Sequence, residues 1–360
     1  MNAFHKVLEK NPDQTDNLLE IDTKTQSQAF MLRSRLVKRQ KHLKKWAHRA
    51  GVGAYRVYDR DIPEIPLVID YYHESDTLCA VSGALYKRPY EKDYNEELAW
   101  LSEMENAAMQ ALEVQKQNIF LKLRQRSNTK SGGINQYQKS NGKIFTMIVN
   151  ENGLKFLVNL SLYIDTGLFF DLRGLRLFVK EKSESKKVLN LFCYSGAFSV
   201  YAAAGKAALV DSVDMSNTYL EWAKKNFLLN NFSGNRYNFI HADAIRFIDD
   251  AVKKRQKWDI IILDPPTFSN SKKMEGNSFD GSMDIKRDHT ILLSNCLKLL
   301  NAGGTVLFCV NSKSFKFNTE EFLQQCISDY PGITIKDRTE MFRQEDFKGR
   351  RMSLCYVLTI

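Results

Sequence analysis

Six cysteines and six histidines occur among the 360 residues, and neither type clusters. Cys79, Cys193, Cys296, Cys309, Cys326 and Cys355 are scattered, mostly in apolar surroundings, and no Cys-x-x-Cys pair is present. That argues against a disulfide framework or a zinc site and predicts free thiols in a reducing cytoplasm. His5, His42, His48, His73, His241 and His289 show no ligand spacing, so no metal enzyme is expected. No apolar run approaches the roughly 20 residues that span a bilayer, and the polar, partly acidic stretch from Met1 to Asp22 does not read as a secretory signal. Internal repeats are lacking, and so are the three-glycine dinucleotide fingerprint and the Walker lysine, which makes NAD, FAD and P-loop chemistry unexpected.

With 43% hydrophobic and 26% charged residues, the composition is that of an ordinary globular chain, and the length suggests two domains. The net charge of +10 is unevenly spread. Residues 31–60 hold ten Lys and Arg against one acid, Asp59, and residues 122–143 hold six against none. From about Ala29 to Ala50, apolar residues fall at helical spacing with basic residues on the other faces, and Gly51 supplies a stop. Two readings are open for this helix: a solvated face whose lysine stems cover apolar surface, or a surface laid along phosphates. The residues before it show little periodicity and are expected to form a loosely held arm. A polar stretch at 125–142, with Gln136 and Tyr137, suits single-stranded RNA or equally a solvated connection. The candidate RNA-binding residues are Arg35, Lys38, Arg39, Lys41, Lys44, Lys45, Arg124, Arg126, Lys130, Gln136, Tyr137, Lys272 and Lys273.

Residues 54–90 read as strands, 93–119 as an amphipathic helix, and Asn150-Glu151-Asn152-Gly153 as a hairpin turn. Beyond residue 187, five strand–helix alternations predict an α/β fold with a doubly wound, mostly parallel sheet, and the last two strands suggest an antiparallel edge. The expected division is an arm and basic helix (1–50), a small α/β domain ending in the hairpin (51–160), and a catalytic domain (161–360). In such sheets ligands sit outside the carboxyl ends of the strands, near the switch in strand order.

The residues at those ends are chemically suggestive. The first strand runs into Asn190-Leu191-Phe192-Cys193-Tyr194-Ser195-Gly196, a single-glycine turn suited to a ligand with no phosphate at that point. Asp214, followed by Met215, ends the second strand and can accept from a ribose diol or cap the next helix. Asp243, before Ala244, ends the third and can accept from an exocyclic amine such as that of adenine, with capping again the alternative. A nucleoside site without a phosphate clamp fits S-adenosylmethionine. After the fourth strand comes Asp264-Pro265-Pro266-Thr267-Phe268, where the prolines stiffen the turn and remove two donors. Asp264 and carbonyl oxygens are left to face the cleft, Phe268 offers a stacking face for an unstacked base, and Lys272 and Lys273 can meet flanking phosphates.

This constellation resembles the class I S-adenosylmethionine-dependent methyltransferases. The strings NLFCYSGAFSV, SVDMSNTYLEWAKKNF, DPPTFSNSKKM, INQYQK and YIDTGLFFDLR resemble one subfamily. It is that of the large-ribosomal-subunit RNA methyltransferases of the RlmK type, the guanine-N7 half of the bacterial fused enzyme. The similarity covers about residue 30 to the C-terminus. It implies S-adenosylmethionine as cofactor, 23S rRNA or a large-subunit precursor as partner, and a small domain that presents RNA to the catalytic one. It also implies that the loop holding Phe170 and Asp171 closes over the methionine end of the cofactor. The cofactor-contact set is then Phe170, Asp171, Asn190, Phe192, Tyr194, Ser195, Gly196, Asp214, Met215, Asp243, Ala244 and Asp264, with Asp264, Pro265, Pro266 and Phe268 as the catalytic set. Where the family has Asn-Asn after the fifth strand, Val310-Asn311 stands here. The N2-methylating half is not found, so a free-standing version is expected.

Guanine N7 has a free lone pair, so its methylation needs positioning rather than a strong base. Methylation at C5 of a pyrimidine needs a thiolate. Thr267 stands where that cysteine would follow Asp-Pro-Pro, and Cys309 lies in an apolar strand where a packed thiol is expected. Amino-group methylation at guanine N2 or adenine N6 stays open on the Pro-Pro carbonyls. So does a non-catalytic RNA-binding assembly factor with the same fold.

Overall fold

A computed structural model describes residues 12–75, 77–87, 90, 93–123, 144–276, 279–312 and 314–360, with only the backbone described at 12–22, 269–276 and 279–282. Contacts divide the chain into two units, Met1–Phe145 with Leu160–Ile164, and Thr146–Asn159 with Asp165–Ile360. The expected boundary near residue 160 therefore differs from the observed division: the hairpin belongs to the second unit, and the basic helix packs within the first.

In the first unit, helix α1 spans Pro12–Ala50, beginning 17 residues before the expected start at Ala29. The early turns lack an apolar stripe, but Leu, Glu, Lys and Gln extend a nucleated helix at little cost. Gly51, at φ 62°, ends it. The Val52 and Gly51 N–H groups return to the carbonyls of Ala47 and His48, a Schellman closure. Leu32, Leu36, Leu43 and Ala47 bury one stripe of α1 in the unit's core. The sheet partners are β1 (Ala54–Asp59), β2 (Leu67–Ser75) and β3 (Leu78–Leu85), antiparallel in sequence. Helix α2 (Tyr94–Leu112) then crosses to β4 (Ile119–Leu123), parallel to β3. Trp100 of α2 donates its indole N–H to the buried Gln28 of α1 at 2.7 Å, so a polar pair fixes the register of two otherwise apolar helix faces.

The second unit opens with the hairpin β5 (Thr146–Glu151) and β6 (Leu154–Asn159). Asn152 and Gly153 both have positive φ, 52° and 82°, as a two-residue primed turn demands. After helix α3 (Arg173–Lys182) come β7 (Lys187–Leu191), α4 (Ala197–Ala204), β8 (Leu209–Asp214), α5 (Asn217–Leu229), β9 (Tyr237–His241), α6 (Ala244–Lys253) and β10 (Trp258–Leu263). A two-stranded excursion follows, β11 (Phe268–Gly276) and β12 (Phe279–Asp284), then α7 (Ile285–Leu297), β13 (Leu300–Val310), α8 (Thr319–Cys326), β14 (Thr334–Asp337) and β15 (Leu354–Thr359). The seven-stranded sheet has the order β14-β15-β13-β10-β7-β8-β9. β15 is antiparallel to both neighbours, and β13, β10, β7, β8 and β9 are parallel. The fold is the doubly wound α/β sheet expected from the alternation. The chain enters at β7, winds outward to β9, then returns to β10 on β7's other side. That reversal opens the crevice at the carboxyl ends of β7 and β10.

Candidate active site

The turn after β7 bends sharply. Phe192, Tyr194 and Gly196 adopt left-handed φ values of 57°, 50° and 72°, and each non-glycine residue there costs about 1–3 kcal/mol. The neighbouring strand holds the turn in place: Cys193 N–H donates to the Val213 carbonyl at 3.0 Å and Tyr194 N–H to Asp214 Oδ2 at 2.9 Å. Gly196 is required twice over, since an added Cβ would sit 2.6 Å from that of Ala223. Asn190, expected among the cofactor contacts, is instead buried and donates to Ser199 of α4 at 2.9 Å. Cys193 is buried as well, and burial raises its thiol well above the ordinary range.

Asp214 ends β8 with both oxygens engaged, Oδ2 by Tyr194 N–H and Oδ1 by Ser216 N–H at 2.9 Å. Burial raises its pKa against the pull of these donors. Ser216, not Asp214, caps the next helix. Asp243 does cap α6: Oδ1 accepts from Ile245 and Arg246 N–H at 3.0 and 3.1 Å. Its Oδ2 is buried with no hydrogen-bond partner among the described residues, an acceptor in need of a donor. The capping role considered for Asp243 is thus filled by Oδ1, and Oδ2 remains available as an acceptor. Met215, 37% exposed, and His241, Ala242 and Asp243 line a cavity of about 550 Å³, with Arg246 and Phe247 of α6. Ala244 starts α6 and is buried.

Asp264 follows β10 with Pro265 buried and Pro266 exposed. Burial, reinforced by the nearby Asp171 carboxylate and opposed by Arg176, pushes Asp264 up to about 7. Thr267 Oγ1 donates to the Asn311 carbonyl at 3.1 Å, so the turn is tied to the residue that follows β13. Phe268 is 45% exposed and starts β11. The stretch read as a turn therefore continues as a strand pair.

The segment from Asp165 to Asp171 is held at every second residue. Tyr194 Oη donates to the Asp165 carbonyl at 3.0 Å, Ser195 Oγ to the Gly167 carbonyl, and Arg176 Nη1 to the Phe169 carbonyl at 2.7 Å. Ser353 donates both its N–H and its hydroxyl to Asp171 Oδ2, at 2.9 and 2.7 Å. Gly167, at φ 107°, lies against Trp222, with no room for a Cβ. Phe170, expected at the methionine end, is only 3% exposed, with its ring beneath the Arg173 guanidinium. Its neighbour Phe169 is 38% exposed, with its ring 5.5 Å from Tyr194. A short 3₁₀ turn begins at Phe170 and turns that side chain inward.

Behind the segment lies a buried ionic cluster. Arg176 forks onto Glu151 through Nε and Nη2 at 2.8 and 2.9 Å, and Arg173 joins Glu151 to Asp346 at 2.9 Å each. Burial pushes Glu151 up, but Arg176 and Arg173 outweigh it and hold the carboxyl below its ordinary value. Glu151, Arg176 and Ser353 carried no sequence signal of a site, because each meets its partner at least 25 residues away.

Of the basic candidates, Lys38, Lys41, Lys44 and Lys45 are exposed on α1. Arg35 pairs loosely with Asp61 at 3.6 Å, while Nε and Nη2 of Arg39 are buried without a hydrogen-bond partner among the described residues. Arg124, Arg126, Lys130, Gln136 and Tyr137 lie outside the described residues, as do the side chains of Lys272 and Lys273. Among the described residues no group of His, Cys, Asp or Glu is placed to hold a metal ion, and no helix is long and apolar enough to cross a membrane.

The model of the S-adenosylmethionine-dependent methyltransferases matches residues 74–345. Ribosomal RNA large subunit methyltransferase K of Neisseria meningitidis serogroup B is 39% identical over 90% of this chain and 85% of its own. The chain belongs to this methyltransferase family. Ribosomal RNA large subunit methyltransferase K/L of Shewanella sp. MR-4 is 42% identical over 80% of this chain, which spans 38% of that longer protein. Among solved structures, SMU.776 in complex with SAH superposes with a TM-score of 0.68 at 21% identity, over 92% of this chain and 82% of its own. An S-adenosylmethionine-dependent methyltransferase from Streptococcus mutans reaches 0.67 at 20% identity, over 92% and 81%. Membership makes the protein an enzyme that takes S-adenosylmethionine, and the buried Asp243 Oδ2, without a hydrogen-bond partner among the described residues, fits that cofactor.

Proposed function

We propose that this methyltransferase acts in the cytoplasm on large-subunit ribosomal RNA, transferring a methyl group to N7 of a guanine. The observation that carries this reading is the set Asp214, Asp243 and Asp264 at the tips of β8, β9 and β10, with the exposed Phe268 four residues beyond Asp264. When bound, S-adenosylmethionine supplies an electrophilic methyl group on a sulfonium. In this reading Asp214 holds its ribose, Asp243 Oδ2 its adenine amine, and the turn Phe192–Gly196 lies along it. The proline-stiffened turn presents Phe268 as a stacking platform for a base withdrawn from its neighbours, a contact of roughly 1–3 kcal/mol. Since N7 carries no proton, no group on the chain has to accept one. The Asp264 carboxylate then stabilises the cationic methylated purine.

The thiols support this acceptor over pyrimidine C5. Cys309 is buried in β13 opposite Cys355 of β15. Its contact with the Cys355 thiol, and then burial, raise it well above the ordinary range, which is the reverse of an activated nucleophile. The exposed lysines of α1 support binding to phosphates, with the first unit as the RNA-presenting part. All six cysteines are free, in keeping with a reducing compartment.

Mapping modified nucleosides in ribosomal RNA from a strain lacking the protein tests the proposal. Loss of 7-methylguanosine is expected. Loss of N2-methylguanosine or N6-methyladenosine moves the acceptor to an amino group, and loss of a C5-methylpyrimidine overturns the mechanism. Unchanged RNA, with cofactor still bound by the protein, points to an assembly factor.

A further inference from the structure

β10 and β15 both pair with β13, Leu263 opposite Phe308 and Phe308 opposite Tyr356, so Asp264 and Ser353 stand at the same end of the sheet, and the Asp171 carboxylate that Ser353 holds disfavours the charge of Asp264. Such an arrangement is unfavourable unless a cation comes to it. Asp264 comes from the centre of the sheet, at the end of β10, and no side-chain hydrogen bond to it is found among the described residues. Asp171 lies 93 residues earlier, just before α3. What fixes Asp171 is a third segment: Ser353, buried just before β15, places its N–H at 2.9 Å and its hydroxyl at 2.7 Å on the same oxygen, Oδ2. Two donors on one oxygen set both the position and the rotation of a carboxylate.

We propose that Ser353 is a positioning residue of the methyl-donor site, fixing the Asp171 carboxylate beside that of Asp264 so that the two together receive the positive charge of the cofactor. This rests on the cofactor site proposed above. Among the described residues, the other charged or titratable groups near the pair are the Arg176 guanidinium, which favours the ionised form of Asp264, and the Cys309 and Cys355 thiols of β13 and β15. A hydroxyl 182 residues from its partner serves the crevice without facing it.

The test is calorimetric binding of S-adenosylmethionine to the full chain between about pH 5.5 and 8.5, for the wild type, Ser353→Ala and Ser353→Thr. Affinity in the wild type should rise with pH through a midpoint set by Asp264. In Ser353→Ala, affinity at pH 8 should fall about tenfold, the loss of one hydrogen bond to a charged group. The midpoint should also move towards acid, because a released Asp171 no longer presses on Asp264. Ser353→Thr, which keeps both donors, should restore affinity and midpoint. If Ser353→Ala does not fold, Ser353→Cys retains the volume and the N–H but supplies only a weak donor, and carries the same expectations. An unchanged midpoint, with or without a loss of melting temperature, assigns Ser353 a structural role only and overturns the proposal. A wild-type chain that does not bind the cofactor overturns both this inference and the site on which it rests.

Discussion

Arg176 donates through Nη1 to the carbonyl oxygen of Phe169 at 2.7 Å, while its other two nitrogens fork onto Glu151. One buried guanidinium thus joins the β5–β6 hairpin to the segment that carries the exposed Phe169 ring, and its charge opposes the rise of Asp264.

Replacing Arg176 with methionine should therefore act in two ways. Breaking a buried pair leaves the partner charge poorly compensated and costs about 3–5 kcal/mol, although Arg173 still shares Glu151. The Asp264 carboxyl, deprived of a neighbouring cation, should titrate at higher pH. Arg176→Lys keeps the charge and loses the fork, so its pH profile should stay near the wild type while its melting temperature falls. Thermal melts and pH–rate profiles on the three proteins separate the two contributions. Equal profiles for the methionine variant and the wild type would contradict the electrostatic part.

Asp264 also predicts a pH dependence of stability with an unusual sign. Its folded value is about 7, against about 4 for an unfolded aspartate. Below pH 4 both states are protonated and the group is neutral in effect. Between 4 and 7 the native state holds the extra proton, so stability contributed at this position falls as pH rises and levels off above 7. Asp264→Asn should then match the wild type at pH 4 and exceed it by about 2–4 kcal/mol at pH 8, while losing cofactor affinity. Urea titrations at the two pH values measure the difference. A variant less stable at pH 8 would mean that Asp264 is not destabilised by burial.

Much of this architecture can be read directly from the residues. Short buried runs such as Ile260–Leu263 alternate with helices, and the strand tips bring Asp214, Asp243 and Asp264 to one edge of one sheet. Asn152-Gly153 announces its turn because asparagine and glycine readily take the positive φ that a two-residue hairpin turn of this kind requires at both positions. Parity fails where periodicity changes. The Phe169–Phe170 pair sits at the start of a 3₁₀ turn, so the ring that faces outward is the one before the expected residue. Helix α1 begins early because polar helix formers extend a helix without leaving an apolar stripe to read. Arg173 and Arg176 resemble the solvated face of an amphipathic helix until Glu151 and Asp346 arrive from the hairpin and the C-terminal segment. Long-range partners of this kind leave no local pattern.

Cys309 offers a test of the chemistry. It is buried with its thiol raised far above the ordinary range, so Cys309→Ala should retain methyl transfer to RNA, at a cost in stability of about 1–2 kcal/mol for the small cavity. Transfer of tritiated methyl from the cofactor to ribosomal RNA, measured beside a melting curve, distinguishes the outcomes. Abolished transfer in a folded variant would restore the thiolate mechanism at pyrimidine C5.

The last prediction concerns α1. Lys38, Lys41, Lys44 and Lys45 are exposed on it, and lysine and glutamine have similar helix propensities. Substituting all four with glutamine should leave the helix and the packing of Leu36 and Leu43 intact. If each lysine meets one phosphate of a single strand, each contributes about −0.7 to the slope of log affinity against log salt. The variant should then show a slope shallower by about 3, with weaker binding at low salt and little difference at high salt, where counterions already screen the charges. Fluorescence titrations of an RNA fragment at several salt concentrations, with circular dichroism to confirm the helix, give the comparison. A slope unchanged by the substitution would make α1 a solvated face whose lysines do no more than cover the apolar residues beneath them.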